Sequence, residues 1–154
     1  FYPEITSNVT INTLTLDSGT TLKVIASDIP NTISRSLTVT DVITNDGTLT
    51  IENNASLIQV NNILNTGNIT YKRIAQQRKS DYVYWSSPVN SFNLSSHPSD
   101  GFKYLWNTTV INSNGTQGNW QSASGIMNAA QGYIIRGPSS FNNTINQNLE
   151  VVAW

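Results

Sequence analysis

The sequence predicts an all-β protein in two parts, a short parallel β-helix (β-solenoid) followed by a small antiparallel unit similar to a β-sandwich. Three observations support this fold class. Apolar residues alternate with polar ones in short runs and show no helical period. In the first half these runs recur at a spacing near 20 residues, and after Tyr71 the composition becomes aromatic.

The short runs of the first half have the pattern of half-buried strands. Each places apolar side chains on one face and Thr or Lys on the other, and turn-forming Gly with Asn or Asp separates the runs. The runs are Leu14-Thr15-Leu16, Leu22-Lys23-Val24, Leu37-Thr38-Val39, Leu49-Thr50-Ile51 and Ile69-Thr70-Tyr71.

Two copies of a repeat align at a spacing of 20 residues. The aligned pairs are Ser36 with Ser56, Leu37 with Leu57, Ile43 with Ile63, Asn45 with Asn65, Gly47 with Gly67, Leu49 with Ile69, Thr50 with Thr70 and Ile51 with Tyr71. A looser earlier copy runs from Leu14 to Val24, and an insertion around residues 27–31 separates it from the next. Such a period, made of short strands and turns, indicates a parallel β-helix. A β-sandwich whose hairpins share turn chemistry remains the alternative.

The repeat carries two local expectations. The turn asparagines are expected to form a ladder in which each side-chain amide bonds to the copies above and below. Gly47 and Gly67 are expected to have positive φ, which a Cβ would disfavour.

The second half contains further strand-like runs connected by segments rich in Asn, Ser, Gly and Pro. The runs are residues 82–85, 102–106, 132–136 and 149–152. They predict an antiparallel sheet or sandwich that caps the solenoid, since an open last coil exposes an unpaired strand edge. We therefore expect one domain at residues 1–71 and a second at residues 72–154.

The two ends suggest a piece of a longer polypeptide. The chain opens on Phe1 without a signal peptide, and residues 149–154 have the pattern of a strand cut off midway. We expect a mature fragment whose native polypeptide continues beyond Trp154.

The composition argues against several classes of partner. Charged residues make up 11 % of the chain and the formal net charge is −1. An ordinary soluble domain has about 25 % charged residues. The sequence therefore predicts no attraction to nucleic acid, and no apolar run is long enough for membrane insertion. The basic residues Lys72, Arg73, Arg78 and Lys79 are interpreted as a solvated linker between the halves.

Residues for catalysis and for metal binding are sparse. The chain has no cysteine and one histidine, His97, which is interpreted as a loop residue. Asp41 and Asp46 have Asn61 and Thr66 as counterparts in the next copy, so no acidic ladder forms. Turn capping is the favoured role for these acids. No catalytic residue, metal site or cofactor is predicted.

Aromatic residues of the second half are candidates for sugar binding. Trp120 lies between Gly118-Asn119 and Gln121-Ser122 and is the favoured exposed contact, with Asn119, Tyr104 and Trp106 as companions. Alternation sends Tyr82 and Tyr84 to one face and Val83 and Trp85 to the other. Because one face is core, most of these rings are expected to be packing residues.

Two longer runs carry a family resemblance. Tyr84-Trp85-Ser86-Ser87-Pro88-Val89 and Gly132-Tyr133-Ile134-Ile135-Arg136-Gly137-Pro138 occur in this order, within a resemblance that covers residues 35–140. This region resembles a recurrent region of large secreted proteins of flavobacteria and other Bacteroidetes. The resemblance implies export by type IX secretion, a location on the cell surface or outside the cell, and a role in adhesion or gliding. It carries no catalytic residues that can be transferred.

Together these observations predict a non-catalytic, extracellular structural or adhesive module of a large bacterial surface protein. Its expected partners are other domains of the same polypeptide, with glycans or surface proteins as further candidates. A carbohydrate-binding module that uses the exposed aromatic residues is the alternative. A solenoid polysaccharide lyase or hydrolase is the third, and it lacks the acid cluster that it needs.

Overall fold

The computed structural model describes residues 2–26, 34–89, 91–128 and 131–153. The chain divides into two compact units, one up to Arg73 and one from Ile74 to Ala153. The predicted boundary after Tyr71 lies in the same strand as this division. The described residues contain strands and one short 3₁₀ turn, and no α-helix, so the fold is all-β.

The first unit consists of short strands that pair in parallel. The strands are β1 (Glu4–Ile5), β2 (Val9–Ile11), β3 (Leu14–Leu16), β4 (Thr21–Val24), β5 (Arg35–Val39), β6 (Ile43–Asn45), β7 (Thr48–Ile51), β8 (Ala55–Gln59) and β9 (Ile69–Gln77). They form three sheets, with the orders β1-β4-β7-β9, β2-β5-β8 and β3-β6. Each of these pairings is parallel.

The register of two sheets confirms the 20-residue spacing. Leu37 pairs with Leu57, and Leu49 pairs with Ile69. The looser earlier copy is also confirmed, because Leu22 pairs with Leu49. The insertion predicted around residues 27–31 lies outside the described residues.

The third sheet departs from the predicted alignment. Thr44 pairs with Thr66, a spacing two residues longer than predicted, so the alignment of Asn45 with Asn65 is wrong. The side chains still link neighbouring copies, but they do so through backbone groups. Asn45 Nδ2 donates to the Asn68 carbonyl, and Asn65 Oδ1 accepts from the Ile43 N–H (2.9 Å).

The two turn glycines are required for different reasons. Gly67 has φ +81°, as predicted, and a Cβ there would lie 1.7 Å from the Asn45 carbonyl oxygen. The prediction of positive φ is wrong for Gly47. A Cβ at that position would instead lie 2.6 Å from the Thr20 carbonyl oxygen, so close backbone approach selects glycine.

The inward side chains of the parallel strands form one buried cluster. Its fully or almost fully buried members are Val24, Leu37, Val39, Ile43, Leu49, Ile51 and Ala55. Where paired positions carry like residues, as in Leu37 with Leu57 and Val24 with Ile51, a side chain packs on its counterpart in the next strand. Burying one Leu, Ile or Val in this way stabilises the fold by about 1.5–3 kcal/mol.

The second unit contains a four-stranded antiparallel sheet. Its strands are β10 (Tyr82–Trp85), β11 (Lys103–Ile111), β12 (Gln117–Ser122) and β13 (Tyr133–Arg136), in the order β10-β13-β11-β12. A further strand, β14 (Gln147–Ala153), neighbours β9, whose last residues belong to this unit. The four predicted runs are confirmed as strands, whereas β12 was missed because its Gln, Gly and Asn residues resemble a loop. The predicted end of the last run at Trp154 lies outside the described residues.

The sheet of the second unit has a buried face and an exposed face. In β10, Val83 and Trp85 are half-buried while Tyr82 and Tyr84 are exposed, as the alternation predicts. Trp85 and Leu105 pack against a buried cluster made of Phe92, Leu94, Met127, Tyr133, Ile135, Val151 and Ala153.

The basic residues near the unit boundary do not form a linker. Lys72 and Arg73 lie within β9, and the Lys72 ammonium is 3.2 Å from a Glu52 carboxylate oxygen. The Arg73 guanidinium donates to the Ala55 carbonyl (3.1 Å), and burial lowers the pKa of Arg73. Arg78 pairs with Asp81 at 2.9 Å.

Candidate functional site

The exposed face of the antiparallel sheet carries a group of aromatic rings. Register places neighbouring side chains on this face, because Ile134 pairs with both Tyr84 and Tyr104. The same alternation along β11 adds Trp106. We call the set the aromatic face, and its members are Tyr82, Tyr84, Phe102, Tyr104, Trp106 and Trp120.

Ring contacts connect members of the aromatic face both between strands and along β11. The ring centroids of Tyr82 and Tyr104 are 6.3 Å apart. Those of Phe102 and Tyr104 are 6.2 Å apart at an interplanar angle of 26°, so the two rings are nearly parallel. The rise of about 3.4 Å per residue makes residues 102–106 span roughly 14 Å of surface. The rings therefore cover an extended area rather than a single point.

A cross-strand tryptophan pair lies farther along β11. Trp106 pairs with Trp120 in the register, with ring centroids 5.1 Å apart and an interplanar angle of 70°. Trp106 is 43 % exposed and Trp120 is 39 % exposed. Gly118 has φ +95°, and a Cβ there would lie 2.3 Å from Trp106 Cζ2. The glycine thus provides the space in which the Trp106 indole lies.

The structure brings together three of the four predicted contact residues. Tyr104, Trp106 and Trp120 share the aromatic face. Asn119 is adjacent to Trp120 in β12 and therefore points to the other side of the sheet, where its partner in the register is Asn107. On the grounds of position, Asn119 is separate from the aromatic face.

The sequence interpretation missed Tyr82, Tyr84 and Phe102 as members of the same surface. The signal was present in the alternation of Phe102, Tyr104 and Trp106 and in that of the two tyrosines of β10. Most of the aromatic rings were expected to be packing residues, whereas in β11 the aliphatic Leu105 packs against the core and its aromatic neighbours lie on the exposed face.

A cavity of about 220 Å³ lies at the Phe102 end of the aromatic face. Its lining consists of Lys79, Asp100, Gly101, Phe102, Arg136, Gly137 and Ser139. The Arg136 guanidinium carbon lies 5.8 Å from the centroid of the Phe102 ring, within the range of a cation–π interaction.

Among the described residues of this lining, Asp100 is the only carboxylate, and Ser139 holds it. The Ser139 N–H donates to Asp100 Oδ1 at 2.7 Å, and the Ser139 hydroxyl donates to Oδ2. These hydrogen bonds lower the pKa of Asp100, so the carboxylate stays ionised.

His97 lies in a loop, as predicted, and its side chain is buried. Its Nδ1 accepts from the Ser99 N–H at 3.2 Å, which leaves the proton of the neutral ring on Nε2. Burial, with the Lys103 charge as the second cause, lowers the pKa of His97 to about 4. The imidazole is therefore neutral at physiological pH, packed 5.1 Å from the Trp85 ring.

Residues 2–26, 34–89, 91–128 and 131–153 contain no cluster of three or more His, Cys, Asp or Glu side chains that could hold a metal ion. No helix in this part of the chain has the length and apolar character needed to cross a membrane.

A family model described as a domain of unknown function, DUF8693, matches residues 1–152. Neither a curated protein nor a solved structure matches the chain.

Proposed function

We propose that this chain, which belongs to the DUF8693 family, is a non-catalytic adhesive module that binds carbohydrate through its aromatic face. The observation that carries the proposal is the presence of six aromatic rings on one face of a four-stranded sheet, with Tyr84 exposed to 74 %. Four of the other rings, those of Tyr82, Phe102, Trp106 and Trp120, are also exposed by more than a third of their surface.

An exposed aromatic surface of this kind needs a physical reason. Apolar area left in water costs about 25 cal/mol per Å² relative to burial. Contiguous exposed apolar patches on a soluble protein therefore mark binding surfaces. Tyr and Trp combine an apolar ring with a polar group, which suits a ligand whose faces are apolar and whose edges carry hydroxyl groups. A sugar ring has this character.

The shape of the surface favours a polymer over a small molecule. The rings lie on the open side of a sheet, and Phe102 and Tyr104 are close to parallel. A small ligand needs a concave site that surrounds most of its surface. An extended glycan chain can instead lie along an open face and contact several rings.

The first unit is proposed to be a short parallel β-solenoid that acts as a stiff spacer. The support is the in-register parallel pairing of like residues, such as Leu37 with Leu57 and Thr50 with Thr70. The second unit is proposed to be similar to a β-sandwich. Stacked strands of this type form a rigid scaffold on which neighbouring domains can be presented.

Extracellular location and export by type IX secretion are part of the same proposal. Their support is the low charge content, the abundance of Asn, Ser and Thr, and the resemblance to surface proteins of Bacteroidetes. The other domains of a long polypeptide, glycans and surface proteins are the proposed partners. We propose no nucleic-acid partner and no direct insertion into a membrane.

The absence of catalysis is proposed from the arrangement of acids at the surface. Hydrolysis of a glycosidic bond requires two carboxyl groups about 5–9.5 Å apart. In the part of the chain that the structure describes, the cavity beside the aromatic face has Asp100 as its one carboxylate, and Ser139 occupies both of its oxygens.

Affinity measurements with matched tyrosine variants test the proposal. The purified chain is screened on a glycan array, and Kd values for bound polysaccharides are measured by isothermal titration calorimetry. Tyr84→Ala is compared with Tyr2→Ala, since Tyr2 is similarly exposed (60 %) and belongs to the first unit. Loss of an aromatic contact of about 2 kcal/mol weakens binding roughly 30-fold.

The expected result is weaker binding for Tyr84→Ala and for Trp106→Ala, with Tyr2→Ala unchanged. The proposal is refuted if the wild-type chain binds no glycan, or if the Tyr84 and Tyr2 variants bind with equal affinity. Turnover of a bound polysaccharide that disappears on mutation of one acid would refute the non-catalytic part.

A further inference from the structure

We infer that the cavity beside Phe102 binds the anionic group of an acidic glycan, a uronic acid carboxylate or a sulfate ester. The inference rests on the proposed function and adds to it the class of sugar. It also adds a second type of contact, because the aromatic face itself carries no information about ligand charge.

Two cations line the cavity without a carboxylate partner. The ion pairs within 4.0 Å in the described part of the chain join Lys72 to Glu52 and Arg78 to Asp81, so neither Lys79 nor Arg136 takes part in one. Arg136 Nη2 donates to the neutral Ser80 hydroxyl at 3.3 Å. Five N–H donors in a planar fork suit a carboxylate or a sulfate, which can accept two parallel hydrogen bonds.

Asp100 reduces the positive charge of the cavity but does not cancel it. With Lys79, Arg136 and Asp100 among its residues, the lining keeps a net charge of +1 (2 − 1 = +1). Because the N–H and the hydroxyl of Ser139 occupy both Asp100 oxygens, this carboxylate is held by neutral donors rather than by an ion pair. Asp100 also disfavours anions, so its removal should strengthen their binding.

The wall that carries Arg136 is fixed by tight backbone packing. A Cβ on Gly101 would lie 2.7 Å from the Arg136 carbonyl oxygen, and one on Gly137 would lie 2.2 Å from the Arg78 carbonyl oxygen. Ser99 joins the two sides, since its hydroxyl accepts from the Gly101 N–H at 3.0 Å and donates to the Arg136 carbonyl. Such a preformed wall reduces the entropy lost on binding.

The size and position of the cavity suit one charged group of a larger ligand. At about 220 Å³ it is smaller than the roughly 300–1,000 Å³ of pockets that enclose drug-sized molecules. Phe102 belongs both to the cavity lining and to the aromatic face, where its ring is close to parallel with that of Tyr104. A glycan on the aromatic face can therefore place one substituent beside Arg136.

The test compares three glycans of similar length by calorimetry: an oligogalacturonate, a sulfated galactan oligosaccharide and a neutral galactan oligosaccharide. The variants are Arg136→Gln, Arg136→Lys and Asp100→Asn. Arg78→Gln is the matched control, because it removes the same charge from a residue that pairs with Asp81 and does not line the cavity. Thermal melts verify that each variant is folded.

We expect the acidic glycans to bind more tightly than the neutral one. Arg136→Gln should weaken acidic binding at least tenfold, which corresponds to about 1.4 kcal/mol, and leave neutral binding unchanged. Arg136→Lys should retain part of the affinity, Asp100→Asn should increase it, and Arg78→Gln should have no effect. Whichever acidic glycan binds more tightly, the oligogalacturonate or the sulfated galactan, identifies carboxylate or sulfate as the ligand group.

Two results overturn the inference in distinguishable ways. If neutral and acidic glycans bind equally and Arg136→Gln changes neither, the cavity has no role and the aromatic face alone binds. If no glycan of any charge binds to the folded wild-type chain, the inference fails together with the proposed function.

Discussion

Replacing Leu49 by alanine measures how strongly the parallel strands of the first unit depend on their stacked core. Leu49 is fully buried and pairs with Leu22 on one side and Ile69 on the other. Neighbouring strands are about 4.8 Å apart, so both partners border the space that the missing side chain would leave. With backbone hydrogen bonds holding those strands in place, the cavity can collapse only in part.

The expected loss follows from this geometry. Leu→Ala substitutions in cores cost about 2–5 kcal/mol, and the cost rises with the residual cavity. We expect about 3 kcal/mol for Leu49→Ala. For a unit of this size each kcal/mol lowers the melting temperature by about 4–8 °C, so the first unit should melt roughly 12–24 °C lower.

Differential scanning calorimetry and far-UV circular dichroism provide the assay. Leu64→Ala is the matched control, because Leu64 is 89 % exposed and the same atoms are removed from the surface. Its expected change lies within about 0.5 kcal/mol. A Leu49→Ala protein that melts with the wild type, or a Leu64→Ala protein that is equally destabilised, would contradict the stacked core.

Three further outcomes are expected. Gly67→Ala should lower the melting temperature more than Gly115→Ala does. Both glycines have φ near +80°, but only at Gly67 would the added Cβ clash with backbone atoms, those of Asn45. Equal decreases in melting temperature would leave the positive φ as the whole cause. The free energy of unfolding should fall by about 3 kcal/mol as the pH drops from about 6.5 to 4, because in this interval the histidine is protonated in the unfolded chain but stays neutral when His97 is buried. Denaturation curves of His97→Gln should show a smaller dependence on pH in this interval. An unchanged dependence would exclude His97 as its cause. Gly118→Ala should displace the Trp106 indole and weaken glycan binding; unchanged affinity would remove the Trp106 position from the site.

The repeat of the first unit was predictable where side chains are buried. An apolar residue that faces the core must recur at the same position in each copy. This holds for Leu37 with Leu57 and for Leu49 with Ile69. The segment between Gln59 and Thr66 has no such constraint, because Ile63 and Leu64 are exposed. Two extra residues are accommodated there, so aligning Asn45 with the identical residue Asn65 gave the wrong register.

The aromatic face was predictable only in part. Alternation separated Tyr82 and Tyr84 from Val83 and Trp85, but it did not show which side of the strand faces the core. That depends on tertiary packing, in which Leu105 of β11 packs against the buried cluster. The cavity depends on residues far apart in sequence, such as Asp100 and Arg136, so no local pattern identifies it.

The most direct test of glycan binding by the aromatic face is an NMR titration. A ¹⁵N-labelled chain is titrated with the tightest-binding glycan, and the indole N–H signals are followed together with the backbone amides. Glycan binding by the aromatic face shifts the signals of Trp106 and Trp120, while that of Trp85, on the core side of the sheet, stays in place. Shifts confined to the first unit, or a Trp85 signal that moves while Trp106 and Trp120 do not, would contradict it.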